Sequence, residues 1–256
     1  MTPLLNTQRL NVSIGTVDVC RNLNFSVLPG QCWGILGVNG VGKTTLLHTL
    51  AGLRPADSGE INIGNRAISQ WSKGTLAKRL GVLFQDVNDP FPSTVLETAL
   101  IGRHPYSRPW QWENAEDLRC AFDALRDVGL QDLQARQVQT LSGGERQRLA
   151  LATLLTQSPS LYLLDEPNNH LDLQYQHSML RLVRSRTEIQ ACAAIMVLHD
   201  INLAARYCDQ VLMVSGNGET RAGSAESLLN EQELTALYGY PIEKLDSRHG
   251  PVFVPQ

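Results

Sequence analysis

An apolar run, Cys-Trp-Gly-Ile-Leu at 32–36, leads directly into Gly-Val-Asn-Gly-Val-Gly-Lys-Thr at 37–44, and residues 43–53 are helix formers with few breakers. Strand, glycine loop and helix in immediate succession leave few folds open, because the strand is apolar throughout and needs cover on both faces. The loop fits the G-x-x-x-x-G-K-[ST] pattern, in which backbone N–H groups curl around phosphate oxygens and the next helix offers its positive end. In that pattern Lys43 reaches the β- and γ-phosphates and Thr44 holds Mg²⁺. A glycine turn before a helix is the plainer alternative, and the flanking strand and helix argue against it.

Four apolar residues at 161–164 are closed by Asp165 and Glu166. Such a run reads as a central parallel strand, and ligands bind at the carboxyl ends of strands in open α/β sheets. Asp165 there can hold Mg²⁺, usually through water, while Glu166 faces another direction and suits a base that polarises the attacking water. An ordinary acidic turn is the alternative. Leu-Ser-Gly-Gly-Glu at 141–145 precedes a helix that runs to 156. Ser142 can simply cap it. The N–H groups of Ser142, Gly143 and Gly144, with the hydroxyl, also make an anion site suited to a γ-phosphate. One chain already has a phosphate loop, so this second site is expected to serve a nucleotide held by another chain.

Short strands are expected within 10–27 and at 60–63, 80–84 and 193–198. From 86 to about 136 the composition changes, with Pro90, Pro92, Pro105, Pro109, Trp110 and Trp112, and a helix at 113–128 carrying Leu118, Phe122 and Leu125 on one face. This reads as an inserted helical lobe. Buried strands alternating with helices argue for a mostly parallel sheet flanked by helices.

Hydrophobic residues at 43% and charged residues at 18% suit a globular chain. The net charge of -3, from 22 basic and 25 acidic residues, gives a polyelectrolyte partner no support; nucleic acid is not excluded by it, and none is expected. The longest apolar run, 191–198, falls far short of the ~20 residues that cross a bilayer. The opening residues lack the pattern of a signal peptide, which places the chain in the cytoplasm as an expectation. Cys20, Cys32, Cys120, Cys192 and Cys208 are scattered, without Cys-x-x-Cys spacing, and read as inert thiols in a reducing compartment.

With Gln85 and His199 added, these stretches stand in one order, and the chain resembles an ATP-binding-cassette (ABC) ATPase subunit over nearly all of its 256 residues. The resemblance implies a P-loop NTPase α/β fold: a mostly parallel sheet core, an N-terminal antiparallel β-subdomain and an inserted helical lobe. It implies one nucleotide-binding domain, with core and β-subdomain at 1–85 and 157–256 and the lobe at about 86–156. It also implies ATP and Mg²⁺, and a head-to-tail dimer of two copies enclosing two ATP molecules. By resemblance, Gly37, Asn39, Gly40, Gly42, Lys43, Thr44 and Thr45 form the Walker A loop. Gln85 is the Q-loop residue, touching Mg²⁺ or the attacking water and able to move the lobe. Ser142, Gly143 and Gly144 lie in the signature, Asp165 closes Walker B, Glu166 is catalytic, residues 169–172 form the D-loop with Asp172 at the dimer seam, and His199 is the switch beside the γ-phosphate. Two departures stand out: Ile14 occupies the place of the aromatic that stacks on adenine, leaving weaker apolar contact, and Asn168 replaces the Thr usual after Glu-Pro.

A finer likeness lies in residues 91–97, 101–106 and 169–173. It is to ATPases of bacterial importers of iron-siderophore complexes, haem or cobalamin, and the Arg-Pro-Trp-Gln-Trp-Glu run at 108–113 is most similar to members associated with cobalamin. Implied partners are integral-membrane permease subunits and, indirectly, a periplasmic or lipoprotein substrate-binding protein. The implied location is peripheral, at the cytoplasmic face of the inner membrane. The ending at 223–256, a helix closing in Leu-Tyr-Gly and a final Val-Phe-Val, is similar to the short ending of this group, and no added ligand-sensing domain is expected. An exporter motor and a soluble non-transport ABC ATPase are the competing readings.

Overall fold

The computed structural model describes residues 2–85, 92–107, 113–169, 171–248 and 250–256. By its internal contacts the chain forms two compact units, Met1–Trp71 with Arg184–Gln256, and Ser72–Val183.

The first unit holds an antiparallel sheet in the order Val17–Leu23, Leu5–Ile14, Ser58–Ile63, Arg66–Ala67, with Ser26–Val27 paired to Leu5–Ile14. Strand structure begins at Leu5, ahead of the expected start at residue 10. Leu5, Thr7, Leu10 and Val12 turn inward, and the inward alternation is interrupted at Arg9, where φ is 47° and the register shifts. The unit's other sheet has Cys32–Leu36 parallel to both Ala193–Val197 and Gln210–Val214, with Thr220–Ser224 antiparallel at the far side of Gln210–Val214. Every residue of Cys32–Leu36 and Ala193–Val197 is buried, as continuous apolar runs require. Over them pack the helices Lys43–Leu50, through the fully buried Leu46, Leu47 and Leu50, and Ile201–Tyr207. The first helix stops short of residue 53 because Gly52, at φ 71°, turns the chain. At the start of Cys32–Leu36, Asp209 accepts the Cys32 N–H at 2.9 Å and pairs with Arg184. The ending matches expectation: a helix, Glu231–Tyr238, is capped by left-handed Gly239, and a hairpin of Ile242–Ser247 and Gly250–Pro255 follows.

The second unit pairs Leu80–Leu83 with Leu161–Asp165 in parallel and carries the helices Val95–Leu100, Ala115–Asp127 and Gly143–Gln157. Close approach is built in at Gly102, where an added Cβ would lie 2.2 Å from the Thr153 carbonyl oxygen. The Ala115–Asp127 helix buries Asp117, Ala121, Ala124 and Leu125, while Phe122 is 43% exposed, so its inward face is rotated from the expected 118/122/125 stripe. The reason is a carboxylate. Asp117 completes the capping box with Asn114 and receives Arg103 Nε at 2.7 Å, and both side chains are nearly buried. The Arg103 hydrogen bond holds the Asp117 carboxyl below the usual carboxylate range. Arg103 also stacks over the Tyr106 ring at 4.0 Å. The Trp pair, Pro90, Phe91 and Pro109 lie outside the described residues, and Pro105 sits in a 3-10 turn, Ile101–Tyr106. Among the described residues no helix is long and apolar enough to cross a membrane.

Candidate functional site

In the first unit, the buried Cys32–Leu36 strand delivers the chain into the glycine loop. Gly37 has φ 156°, and a Cβ there would lie 2.4 Å from the Val214 carbonyl oxygen, so the loop's entry passes against backbone that has nowhere to move. Gly42, at φ 99°, is the N-cap of Lys43–Leu50, makes no side-chain cap bond, and would bring a Cβ within 2.5 Å of Val19 Cγ2. The first N–H groups of that helix have no intrahelical acceptor, the standard arrangement for anion binding. Lys43 is 5% exposed and its Nζ donates to the Gly37 and Val38 carbonyls at 2.8 and 3.0 Å, which lays the ammonium across the loop. Asn39 and Gly40 are exposed at the loop's tip, and Thr44 and Thr45 are half-buried in the helix's first turn. Ile14 is 38% exposed and its Cδ1 is 3.2 Å from where a Gly42 Cβ would stand, so an apolar ledge borders the loop at the place the resemblance assigns to an aromatic. His199 follows the Ala193–Val197 strand by two residues and is exposed; Asp200 then caps Ile201–Tyr207 by accepting the Asn202 N–H at 2.7 Å.

In the second unit, Asp165 ends the Leu161–Asp165 strand at 1% exposure. Glu166 follows at 9% exposure with φ 48°, a left-handed conformation rare for a residue with a side chain. Its Oε2 accepts two amide donors, Gln85 Nε2 at 3.0 Å and Asn169 Nδ2, and the Asn169 N–H closes the turn onto the Glu166 carbonyl at 3.1 Å. Asn168 is buried. Ser142 caps Gly143–Gln157: its hydroxyl accepts the Glu145 N–H at 3.3 Å and its own N–H donates to Glu145 Oε2 at 2.7 Å. That backbone hydrogen bond, then the Ser142 hydroxyl, holds the Glu145 carboxyl below its usual range. Ser142 and Gly143 are exposed, Gly144 is half-buried, and nothing stands within 4 Å of a Cβ added at Gly143. The capping use of Ser142 is thus made, beside a first turn whose N–H groups lack intrahelical acceptors.

The profile of the ABC transporter family matches residues 20–169, from before the glycine loop to Asn169. The chain belongs to the ABC transporter ATPase family. It is 35% identical over 259 residues to the hemin import ATP-binding protein HmuV of Escherichia coli O157:H7, covering 98% of this chain and 99% of that one. It is 35% identical over 242 residues to the HmuV of Thermobifida fusca, covering 94% and 84%. The ABC transporter ATP-binding protein YvrA of Bacillus subtilis is 34% identical over 250 residues, and there the chain spans only 56% of the relative's length. Among solved structures, a metal-chelate type ABC transporter in an inward-facing conformation superposes with a TM-score of 0.86 at 26% identity, covering 99% of this chain and 98% of that one. A dimeric, post-hydrolysis ATP-binding cassette bound to ADP and phosphate gives 0.74 at 25% identity, covering 86% and 98%. The fold is the ABC cassette, and the protein is an ATP-binding ATPase.

Within the first unit the structure gathers the loop glycines, Lys43, Thr44 and Ile14; within the second it brings Gln85 to Glu166. The contact from Asn169 was not foreseen. Its only sequence signal is the three-residue step from Glu166 through a proline, which favours a tight turn. His170, also assigned to the D-loop, lies outside the described residues.

Proposed function

We propose that this ATPase is the motor of an importer for a large metal chelate, working as a head-to-tail pair of copies beneath permease subunits at the cytoplasmic face of the membrane and fed by a substrate-binding protein. The observation that carries the ATP half is the glycine loop, with its close backbone packing at Gly37 and Lys43 laid across it. Gly37, Asn39, Gly40, Gly42, Lys43, Thr44 and Thr45 take the phosphates through N–H groups and the ammonium. Ile14 offers the adenine an apolar face in place of a stacking ring.

The Thr44 hydroxyl in the first unit, and the Asp165 carboxylate and Gln85 amide oxygen in the second, are each hard oxygen donors of the kind that suits Mg²⁺. When bound, that ion neutralises charge developing on the phosphate oxygens. Glu166 orients the attacking water or takes its proton, with His199 beside the γ-phosphate. Ser142, Gly143 and Gly144 meet the γ-phosphate of the nucleotide held by the second copy, with Asp172 at the seam between copies. Because a side chain at Gly143 has open space in the single chain, Gly143→Glu should leave ATP binding by one copy intact and block ATP-driven pairing, measured by light scattering.

For the cargo, the names of the E. coli and T. fusca relatives favour haem, and the metal-chelate transporter fits the same class. Cobalamin, favoured by the Trp-rich run at 108–113, and ferric siderophore are the second reading; residues 108–112 of that run lie outside the described residues. Uptake of labelled haem, cobalamin and ferric siderophore in cells carrying Glu166→Gln tests it. Loss of haem uptake alone is expected, loss of cobalamin uptake alone reverses the order, and loss of none moves the protein to the exporter reading. The 85–109 segment is proposed as the permease socket. Its test belongs at Tyr106, since Arg103 is committed to Asp117 inside the lobe.

A further inference from the structure

His199 stands at a junction whose two sides are held differently. Before it, Ala193–Val197 is buried throughout, and Leu198, also buried, donates its N–H to the Ile35 carbonyl at 3.2 Å. After it comes Ile201–Tyr207, seven residues long, and so short a helix has little stability of its own. Burial of Leu203, Ala204 and Tyr207 holds its far part, and Asn202 holds its first turn. The Asn202 side chain uses both ends of its amide: Oδ1 accepts the Phe253 N–H at 2.7 Å, and Nδ2 donates to the Phe253 carbonyl at 3.1 Å. A side-chain amide carries the donor and acceptor of a peptide group, so Asn202 closes the outer edge of Gly250–Pro255 as another strand would. That edge is itself anchored. Phe253 is 4% exposed, and the hairpin is tied to Glu231–Tyr238 through the Ile242 N–H to Thr235 Oγ1 at 3.1 Å and the Lys244 N–H to Glu231 Oε1 at 2.8 Å. Tyr238, which ends that helix, has a buried hydroxyl within reach of the Asp200 charge and the Gly37 backbone. The main-chain N–H of Asn202 donates in turn to Asp200 Oδ1 at 2.7 Å.

We infer that Asn202 is a positioning residue for ATP hydrolysis, fastening the first turn of Ile201–Tyr207 to Phe253 so that the His199–Asp200 turn keeps the place its chemistry needs. This rests on the reading of His199 as the group beside the γ-phosphate. Asn202 touches no nucleotide in this role, so losing it slows the chemical step and leaves ATP binding alone. Since misplacing a positioned group by about an ångström is costly in rate, a loosened turn shows first in kcat.

The test is ATPase kinetics on the full chain for Asn202→Ala, Asn202→Asp, His199→Ala and the Asn202→Ala/His199→Ala pair, each below its thermal unfolding midpoint, with equilibrium ATP binding measured alongside. Asn202→Ala should lower kcat on the order of tenfold, with KM and ATP affinity within about twofold of wild type. Asn202→Asp keeps the acceptor for the Phe253 N–H but sets a carboxylate oxygen against the Phe253 carbonyl, so it should not restore the rate. In the His199→Ala background Asn202→Ala should add less than about twofold, because the group it places is gone. An unchanged kcat in Asn202→Ala, a wild-type rate in Asn202→Asp, a loss confined to KM or to thermal stability, or the same factor lost in both backgrounds would overturn the positioning role while leaving His199 its own. Full turnover in His199→Ala would overturn both.

Discussion

The loop after Cys32–Leu36 and the turn after Leu161–Asp165 begin alike, each at the end of a five-residue strand with every residue buried, and each enters backbone conformations uncommon for residues with side chains. In the first, those conformations fall on Gly37, Gly40 and Gly42. In the second they fall on Glu166. Glycine has no Cβ to strain, so the first loop is shaped by main chain alone and presents main-chain N–H groups. The second carries a carboxylate into a strained position and holds it there with side-chain amides. A loop that reads its ligand with backbone should therefore fail when a side chain is added, and one that works through a side chain should fail when the side-chain chemistry is changed.

The largest effect should come from the second loop. Glu166→Gln keeps the shape and removes the proposed base, and turnover should fall about 10²–10⁴-fold while ATP still binds, measured by ATPase assay and equilibrium nucleotide binding. Retained turnover would break the contrast, because Glu166 would then be a structural residue on strained backbone. Next, Lys43→Ala deletes the one side-chain cation of the first loop. ATP affinity should drop roughly 10–100-fold, the worth of a charge-assisted hydrogen bond.

Gly37→Ala sharpens the comparison by adding one methyl group against the Val214 carbonyl. It should destabilise the chain by about 1–3 kcal/mol and weaken ATP binding with it, read from urea unfolding and nucleotide titration. The smallest effect belongs to the third loop, where side chain and backbone share the work: Ser142→Ala should remove about 1 kcal/mol of cap stability. Glu145→Gln should also destabilise at neutral pH. Because the Glu145 carboxyl lies below its usual range, its contribution is full above the ordinary carboxylate range and is lost as pH falls through the lowered value. The difference between wild type and Glu145→Gln should therefore vanish in acid unfolding curves.

Much of this was legible in residue order. The strand–loop–helix at 32–50 and the strand closing in Asp165 follow from continuous apolar runs and their punctuation, and both form where expected. The helix after Asn114 shows the limit. Its apolar stripe pointed at Phe122, but the buried ion pair of Asp117 with Arg103 rotated the helix, and a charged partner fourteen residues away leaves no trace in helical periodicity. The same holds for Ile14: the sequence shows a missing aromatic, and only the packing against Gly42 shows that an apolar edge still borders the loop.

Residue order alone carries the family, the succession along the chain of the strands that end in candidate site residues, and the residue types available to meet phosphate and water. Those depend on hydrophobic runs, glycines and acids at fixed local spacing, which the chain carries whatever it folds against. The tertiary structure alone decided what each group does in place: that Lys43 lies across its own loop, that Asp117 is spent inside the lobe, and that Gln85 and Asn169 converge on one oxygen of Glu166. The physical reason is range. Local propensity acts over a few residues, whereas a hydrogen bond spanning 81 positions exists only once the fold has brought its two ends together.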